Sequence, residues 1–196
     1  MNAIIPNGWR DDAALLKRVH GGDRDAAATL VRRLMPAAHA LAWRMTGATA
    51  VAEDIVQEAF IRLWQTAARW EPRASVRTFF TRIVINLCYD HHRAGTPEEA
   101  VDAGADGETA DDSADVLEEL AARESRSEVR AALYRISPRY RAVLVMWAYS
   151  EMNVREIATA LDLNPNAVHQ LLFRARAALR AQLADGHSSK GKSHVA

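Results

Sequence analysis

Apolar positions recur along this chain at helical spacing. Between residues 53 and 69, Ile55, Val56, Ala59, Phe60, Leu63 and Trp64 fall at i, i+1, i+4, i+5, i+8 and i+9, one broad face of a 3.6-residue repeat. A second run starts near Val76 and turns Phe79, Phe80, Ile83, Val84 and Leu87 inward. Between them Trp70-Glu71-Pro72-Arg73-Ala74-Ser75 predicts a loop, since Pro72 disfavours helical geometry at Glu71. Upstream, residues 11–20 predict a short helix with Ala14, Leu15 and Val19 as its apolar stripe, ended by Gly21-Gly22. Asp23 is placed to cap a helix carrying Ala27, Leu30, Val31 and Leu34. Pro36 kinks or restarts that helix, which continues through Ala40, Leu41 and Trp43 to about Met45, before a turn at Thr46-Gly47-Ala48-Thr49.

Beyond residue 120 the helical pattern returns. A helix over 116–135 turns Leu117, Leu120, Val129, Leu133 and Ile136 inward. Ser137-Pro138 opens the next one, a capping hydroxyl followed by proline in the first turn, and it carries Val143, Leu144, Met146, Trp147 and Tyr149. Asn153 caps a short helix over 154–161, with Glu156 three residues on able to reach back to the exposed backbone donor. Asp162-Leu163 makes a turn, and Asn164-Pro165 starts a last helix to about Leu183. A short helix, a tight turn and a long arginine-bearing helix form a helix-turn-helix pattern.

Composition agrees with an all-α chain: 49% of its 196 residues are apolar, rich in Ala and Leu, with few β-branched alternations. One cysteine, Cys88, excludes an internal disulfide and fits a reducing compartment. No run of eighteen apolar residues is present and the N-terminus lacks the basic-then-apolar order of a secretory signal, so a soluble, cytoplasmic protein with no membrane span is expected.

The net charge of zero hides a segregation. From Pro97 to Leu120 about ten acids occur with no Lys or Arg, and without that block about 15 acids face 25 bases. Such a segment has too little to bury to offset its ordering entropy. The expected organisation is therefore a helical bundle over 10–95, a flexible acidic linker over 96–120, a helix-turn-helix domain over 121–184 and a disordered tail over 185–196. Two basic lobes on an acidic tether suit a nucleic-acid binder, although any acidic linker leaves a basic remainder.

Two segments carry a family resemblance. Asp54-Ile55-Val56-Gln57-Glu58-Ala59-Phe60, Trp70, Thr78-Phe79, Arg82-Ile83, Asn86, Asp90 and Arg93 resemble region 2 of the extracytoplasmic-function sigma factors of bacterial RNA polymerase. Ser137-Pro138, Arg141, Val143, Glu156-Ile157-Ala158, Leu161, Pro165, Ala167-Val168 and Arg174-Ala175-Arg176 resemble their region 4. The resemblance implies a transcription initiation factor with no catalytic centre and no cofactor, which binds core RNA polymerase (the β′ clamp helices and the β flap) and promoter DNA. It also implies an anti-sigma factor as partner, and an acidic tether lying along the enzyme's RNA path.

Three sites follow from the resemblance. Asp54, Gln57, Glu58 and Ile61 are expected to dock on the polymerase, although by charge alone the first three form an ordinary solvated face. Trp70, Arg73, Ser75, Arg77, Arg82, Asn86 and Arg93 are expected at the −10 element, where an amide reads an unpaired base and an aromatic stacks on it. Arg82 is equally suited to a buried ion pair, and His91 and His92 to phosphates. Asn166, His169, Gln170, Phe173, Arg174 and Arg176 are expected at the −35 element, with Arg176 and Arg180 toward phosphates. The chain departs from the family in three places. Its loop lacks the frequent Gly-Asp, Met152 stands where Gly is common, and His169-Gln170-Leu171 replaces a cationic [KR]-S-R.

Two other readings compete. Cys88, His91 and His92 have a spacing able to ligate a metal from one helical turn, but a buried thiol and two phosphate-facing imidazoles suit them better, and a hydrolase using Asp90-His91-His92 would need ligands from other helices. A DNA-binding regulator with a helical sensor domain would share the helix-turn-helix without binding polymerase. No phosphate-binding glycine loop and no H-E-x-x-H zinc motif is present.

Overall fold

The computed structural model describes residues 7–72, 74–95, 126–150 and 152–191. The acidic segment, the start of the helix expected at 116–135, and Arg73 lie outside the described residues. The described residues contain helices and no strand. They divide between two compact units, the first built on helices α1–α4 and the second mainly on α5–α8.

In the first unit α1 spans Asn7–His20, α2 Arg24–Thr46, α3 Thr49–Thr66 and α4 Val76–Gly95, with a single 3-10 turn at Ala67–Arg69. α2 packs against α1, α3 and α4, and α3 against α4. Asp23 caps α2 as expected: its Oδ1 accepts the N–H groups of Asp25 and Ala26, each at 3.0 Å. The helix then runs unbroken through Pro36. Pro36 and Arg32, whose carbonyl loses its intrahelical donor there, are both on the exposed side, so that the carbonyl is not buried without a partner. Gly47 ends α2 at φ 79°, a left-handed geometry, donating its N–H to the Trp43 carbonyl at 2.8 Å.

The core differs in register from the expected stripes. Leu16 is buried in α1 while Leu15 and Val19 are half-buried and Ala14 is exposed. In α2 Ala26 is buried rather than Ala27, and in α4 Ile85 and Cys88 join Phe80, Val84 and Leu87, leaving Phe79 and Ile83 half-buried. Phe60 of α3 meets Phe80 of α4 with ring centroids 4.5 Å apart and Trp64 at 5.6 Å, an aromatic seam joining the two helices.

In the second unit α5 spans Arg126–Arg135, α6 Pro138–Tyr149, α7 Val154–Leu161 and α8 Pro165–Gly191. α8 packs on α6 and α5. Val129, Leu133, Val143, Leu144, Met146, Ile157, Val168, Leu172 and Leu179 are buried, and full burial of such side chains stabilises by about 1.5–3 kcal/mol each. Tyr149, at the end of α6, is exposed. The last helix also passes its expected end at Leu183 and continues to Gly191, into the stretch read as a disordered tail.

Candidate nucleic-acid and polymerase interface

The helix-turn-helix is fixed by short-range polar contacts. Asn153 Oδ1 accepts the N–H groups of Arg155 and Glu156 at 3.0 and 3.1 Å, while Glu156 Oε2 accepts the Asn153 N–H at 2.9 Å, the reciprocal capping box expected at α7. α7 ends with Asp162 at φ 59°, and the Leu163 N–H donates to the Ala158 carbonyl at 2.8 Å. That six-to-one bond with a left-handed residue inside it is the Schellman stop, here on Asp instead of Gly. Asn164 Oδ1 then accepts the Ala167 N–H at 2.7 Å and starts α8.

On α8 the expected residues separate into two groups. Asn166, His169 and Phe173 are exposed and Gln170 is half-buried, all within an arc of about 100° by helical geometry. Phe173 is 51% exposed, a large apolar ring in the middle of a polar stripe. Arg174 and Arg176 flank the stripe on opposite sides. Arg176 does not point outward as a phosphate ligand would: its guanidinium lies 4.5 Å over the Trp147 ring of α6, a cation–π contact that binds α8 to its own lobe. Leu171 is buried, as is Met152, so two of the three departures from the family pattern serve this lobe's packing.

On α4, Arg82, Asn86 and Arg93 share one face; Asn86 and Arg93 are exposed and Arg82 is half-buried. Arg93 pairs with Asp90 one turn back. Arg77 is exposed but lies about half a turn around the helix from Asn86, so the two do not form one contact surface. Trp70, half-buried and extended at ψ 126°, leads the chain out of the 3-10 turn. Ser75 departs most from expectation. It is 4% exposed, its Oγ accepts the Thr78 N–H at 2.9 Å, and the Ser75 and Thr78 hydroxyls lie 2.8 Å apart. It is the N-cap of α4, with no surface left to offer DNA.

On α3, Asp54, Gln57 and Ile61 are exposed and Glu58 is half-buried, aligned along one side of the helix. Glu58 accepts from Arg62 Nε at 2.8 Å, a one-turn ion pair. Ile61 is 43% exposed in the middle of this polar stripe. Near the end of α4 His91 is exposed, but His92 is placed differently from expectation. His92 Nε2–H donates to the Met45 carbonyl at 2.9 Å, satisfying a terminal acceptor of α2, and Cys88 is buried. Among the described residues no group of three His, Cys, Asp or Glu side chains is placed to hold an ion, and no helix is long and apolar enough to cross a membrane.

Comparison with known proteins agrees with this geometry. Sigma-70 region 2 matches residues 30–97 and Sigma-70 region 4 matches residues 126–179. The chain is 33% identical over 181 residues to the ECF RNA polymerase sigma factor SigW of Bacillus subtilis, covering 87% of this chain and 95% of that one. It is 34% identical over 160 residues to the ECF sigma factor SigG of Mycobacterium tuberculosis, covering 70% of this chain but 43% of that longer protein. Among solved structures, CnrH in complex with the cytosolic domain of CnrY superposes with a TM-score of 0.66 at 26% identity, over 89% of this chain and 98% of that one. RpoE of Bartonella quintana, solved with the anti-sigma factor NepR, shares the fold with a TM-score of 0.59 at 17% identity, over 80% of this chain and 96% of that one. With region 2 in its first lobe and region 4 in its second, the chain belongs to the extracytoplasmic-function sigma factors of RNA polymerase, which direct transcription initiation.

Proposed function

We propose that the two lobes divide the work of promoter recognition, with no catalytic centre in the chain. The α3 stripe of Asp54, Gln57, Glu58 and Ile61 docks on the β′ clamp helices of core polymerase. Asn86, with Trp70 at the loop and Arg82 and Arg93 along α4, takes the −10 strand; Ser75 serves this site by fixing the loop's entry into α4. The stripe of Asn166, His169, Gln170 and Phe173 lies in the major groove at the −35 element, while the second lobe rides on the β flap. The observation that carries this reading is the helix-turn-helix itself, a doubly capped short helix and turn that present an amide-and-aromatic face of α8 outward.

CnrH and RpoE were each solved bound to a partner, in the second case an anti-sigma factor. We propose a protein of that kind for this chain too, covering the apolar surfaces at Ile61 and Phe173 that polymerase and DNA otherwise occupy. Cytoplasmic action follows from the same reading.

The test is in vitro transcription with core RNA polymerase over a promoter library. Enrichment of templates with two fixed elements at constant spacing is expected. Failure of the purified chain to bind core enzyme overturns the reading in favour of a regulator that binds DNA alone.

A further inference from the structure

The exposed face of α8 has an unusual chemistry for a surface that meets DNA. Within its arc, from Asn166 through His169 and Gln170 to Phe173 and Ala177, there is no Lys or Arg, and the first cation on the same arc is Arg180, one turn further along the helix. Guanine is read in the major groove mainly by Arg or Lys, forked onto its two acceptors, and the N-terminal part of this face, the part that meets base edges in a helix-turn-helix, has neither. Asn and Gln carry the matching donor–acceptor pair for adenine, and an apolar side chain matches the one apolar group on a groove edge, the thymine 5-methyl.

Phe173 is the residue that asks for such a partner. Its ring is half exposed, whereas Leu171, Leu172 and Ala175 beside it are buried, so about half of the residue is left for a partner to cover. It falls about one turn beyond Gln170 and about two beyond Asn166, near the middle of the same stripe. A partner that buries the ring therefore meets the two amides together.

Resting on the assignment of α8 to the −35 element, we infer that this face is an A·T reader: Phe173 packs on a thymine 5-methyl, and Gln170 or Asn166 pairs with adenine on the same or the next step. Sequence discrimination by the second lobe then depends on a methyl group, not on guanine acceptors.

Replacing thymine by deoxyuridine removes the methyl and leaves every hydrogen-bonding group in place. Holoenzyme made from core polymerase and the full chain is assayed on a promoter from the library, with deoxyuridine placed at each −35 thymine in turn. At one position the rate of open-complex formation falls about 3- to 5-fold, the worth of one buried methyl. The Phe173→Ser holoenzyme is slower on the thymine template and indifferent to the replacement, whereas Phe173→Leu keeps part of the sensitivity. Far-ultraviolet circular dichroism and core binding check that both variants are folded.

The inference is overturned if no deoxyuridine position matters while scrambling the −35 element still abolishes transcription. It is equally overturned if Phe173→Ser leaves the methyl sensitivity intact, or leaves promoter activity unchanged while weakening an inhibitory partner. If scrambling the −35 element changes nothing, the assignment of α8 to that element fails, and this inference with it.

Discussion

Arg141 Nε donates to the carbonyl of Leu133 at 2.8 Å from a position 4% exposed. Its Nη2 reaches the Tyr134 and Ile136 carbonyls at 2.9 and 3.4 Å, and its guanidinium stacks 4.9 Å from the Tyr134 ring. A cation has been buried to satisfy the last carbonyls of α5, where the helix dipole also favours positive charge. Arg141→Ala removes the fork and leaves those acceptors buried, so the second lobe should lose about 3 kcal/mol of stability. Arg141→Lys should recover only part of it, because one ammonium cannot span three carbonyls. Urea unfolding followed through Trp147, the one tryptophan of that lobe, reads both.

The Asn164 side chain holds the first turn of α8 through a 2.7 Å bond to the Ala167 N–H. Asn164→Ala should cost about 1 kcal/mol of lobe stability. Because the turn sets where Asn166 and Gln170 point, transcription from promoters that need the −35 element should fall further than core binding does. Equal loss in both assays would show that the cap acts on folding alone.

The caps were legible because they are local. Asp23, Ser137, Asn153 and Asn164 each act within about one helical turn of their own position, and all four accept the expected backbone donors. Contacts between helices were not. Whether Leu15 or Leu16 enters the core is decided by how α2 lies on α1, and a stripe with leucine at both positions leaves that open. Arg176 reads as one more cation of a DNA-facing helix until Trp147 from α6 is placed beneath it. Ser75 shows the opposite error: its capping role is as local as the others, but family resemblance drew attention to DNA instead. The early start of α3 at Thr49 had no side-chain signal to read, since Ala48 caps with backbone alone.

Asp23 ties α1 to α2 at the cost of a pH limit. The Ala26 N–H, followed by the Arg18 side chain, holds its carboxyl below the ordinary value of 3.8. A carboxyl with a depressed folded pKa contributes stability that is fully present above its unfolded value and is lost as pH falls through the folded one. The α1–α2 junction should therefore loosen only below about pH 4. Asp23→Asn keeps an N-cap acceptor but loses the ion pair with Arg18, 2.7 Å in length, and should flatten this acid transition in a thermal melt series.

Ile61 should behave as an anchor within a polar rim. Its neighbours Asp54 and Gln57 are exposed, and exposed charges alone give contacts that are weak and salt-screened. Ile61→Asp should weaken binding to core polymerase by about 10-fold or more, since a central apolar residue that becomes buried carries a large share of the affinity. Asp54→Asn should act mainly on the association rate and its salt dependence. Titration of labelled core enzyme at two salt concentrations separates the two effects.

Asn86 provides the sharpest test of the first lobe because it is exposed and lies opposite the buried face of α4. Asn86→Ala removes one amide and should leave the fold unchanged. If the amide pairs with an unpaired base, the variant should lose about 1–3 kcal/mol of discrimination at one −10 position and little elsewhere. Arg93→Ala, by contrast, frees Asp90 and should lower affinity for every −10 sequence alike while reducing the salt slope. Binding of single-stranded −10 oligonucleotides, each carrying one changed base, by holoenzymes of both variants distinguishes a base reader from a phosphate contact. A uniform loss for Asn86→Ala would make that residue a backbone ligand and move the reading of the base to Trp70 and its loop.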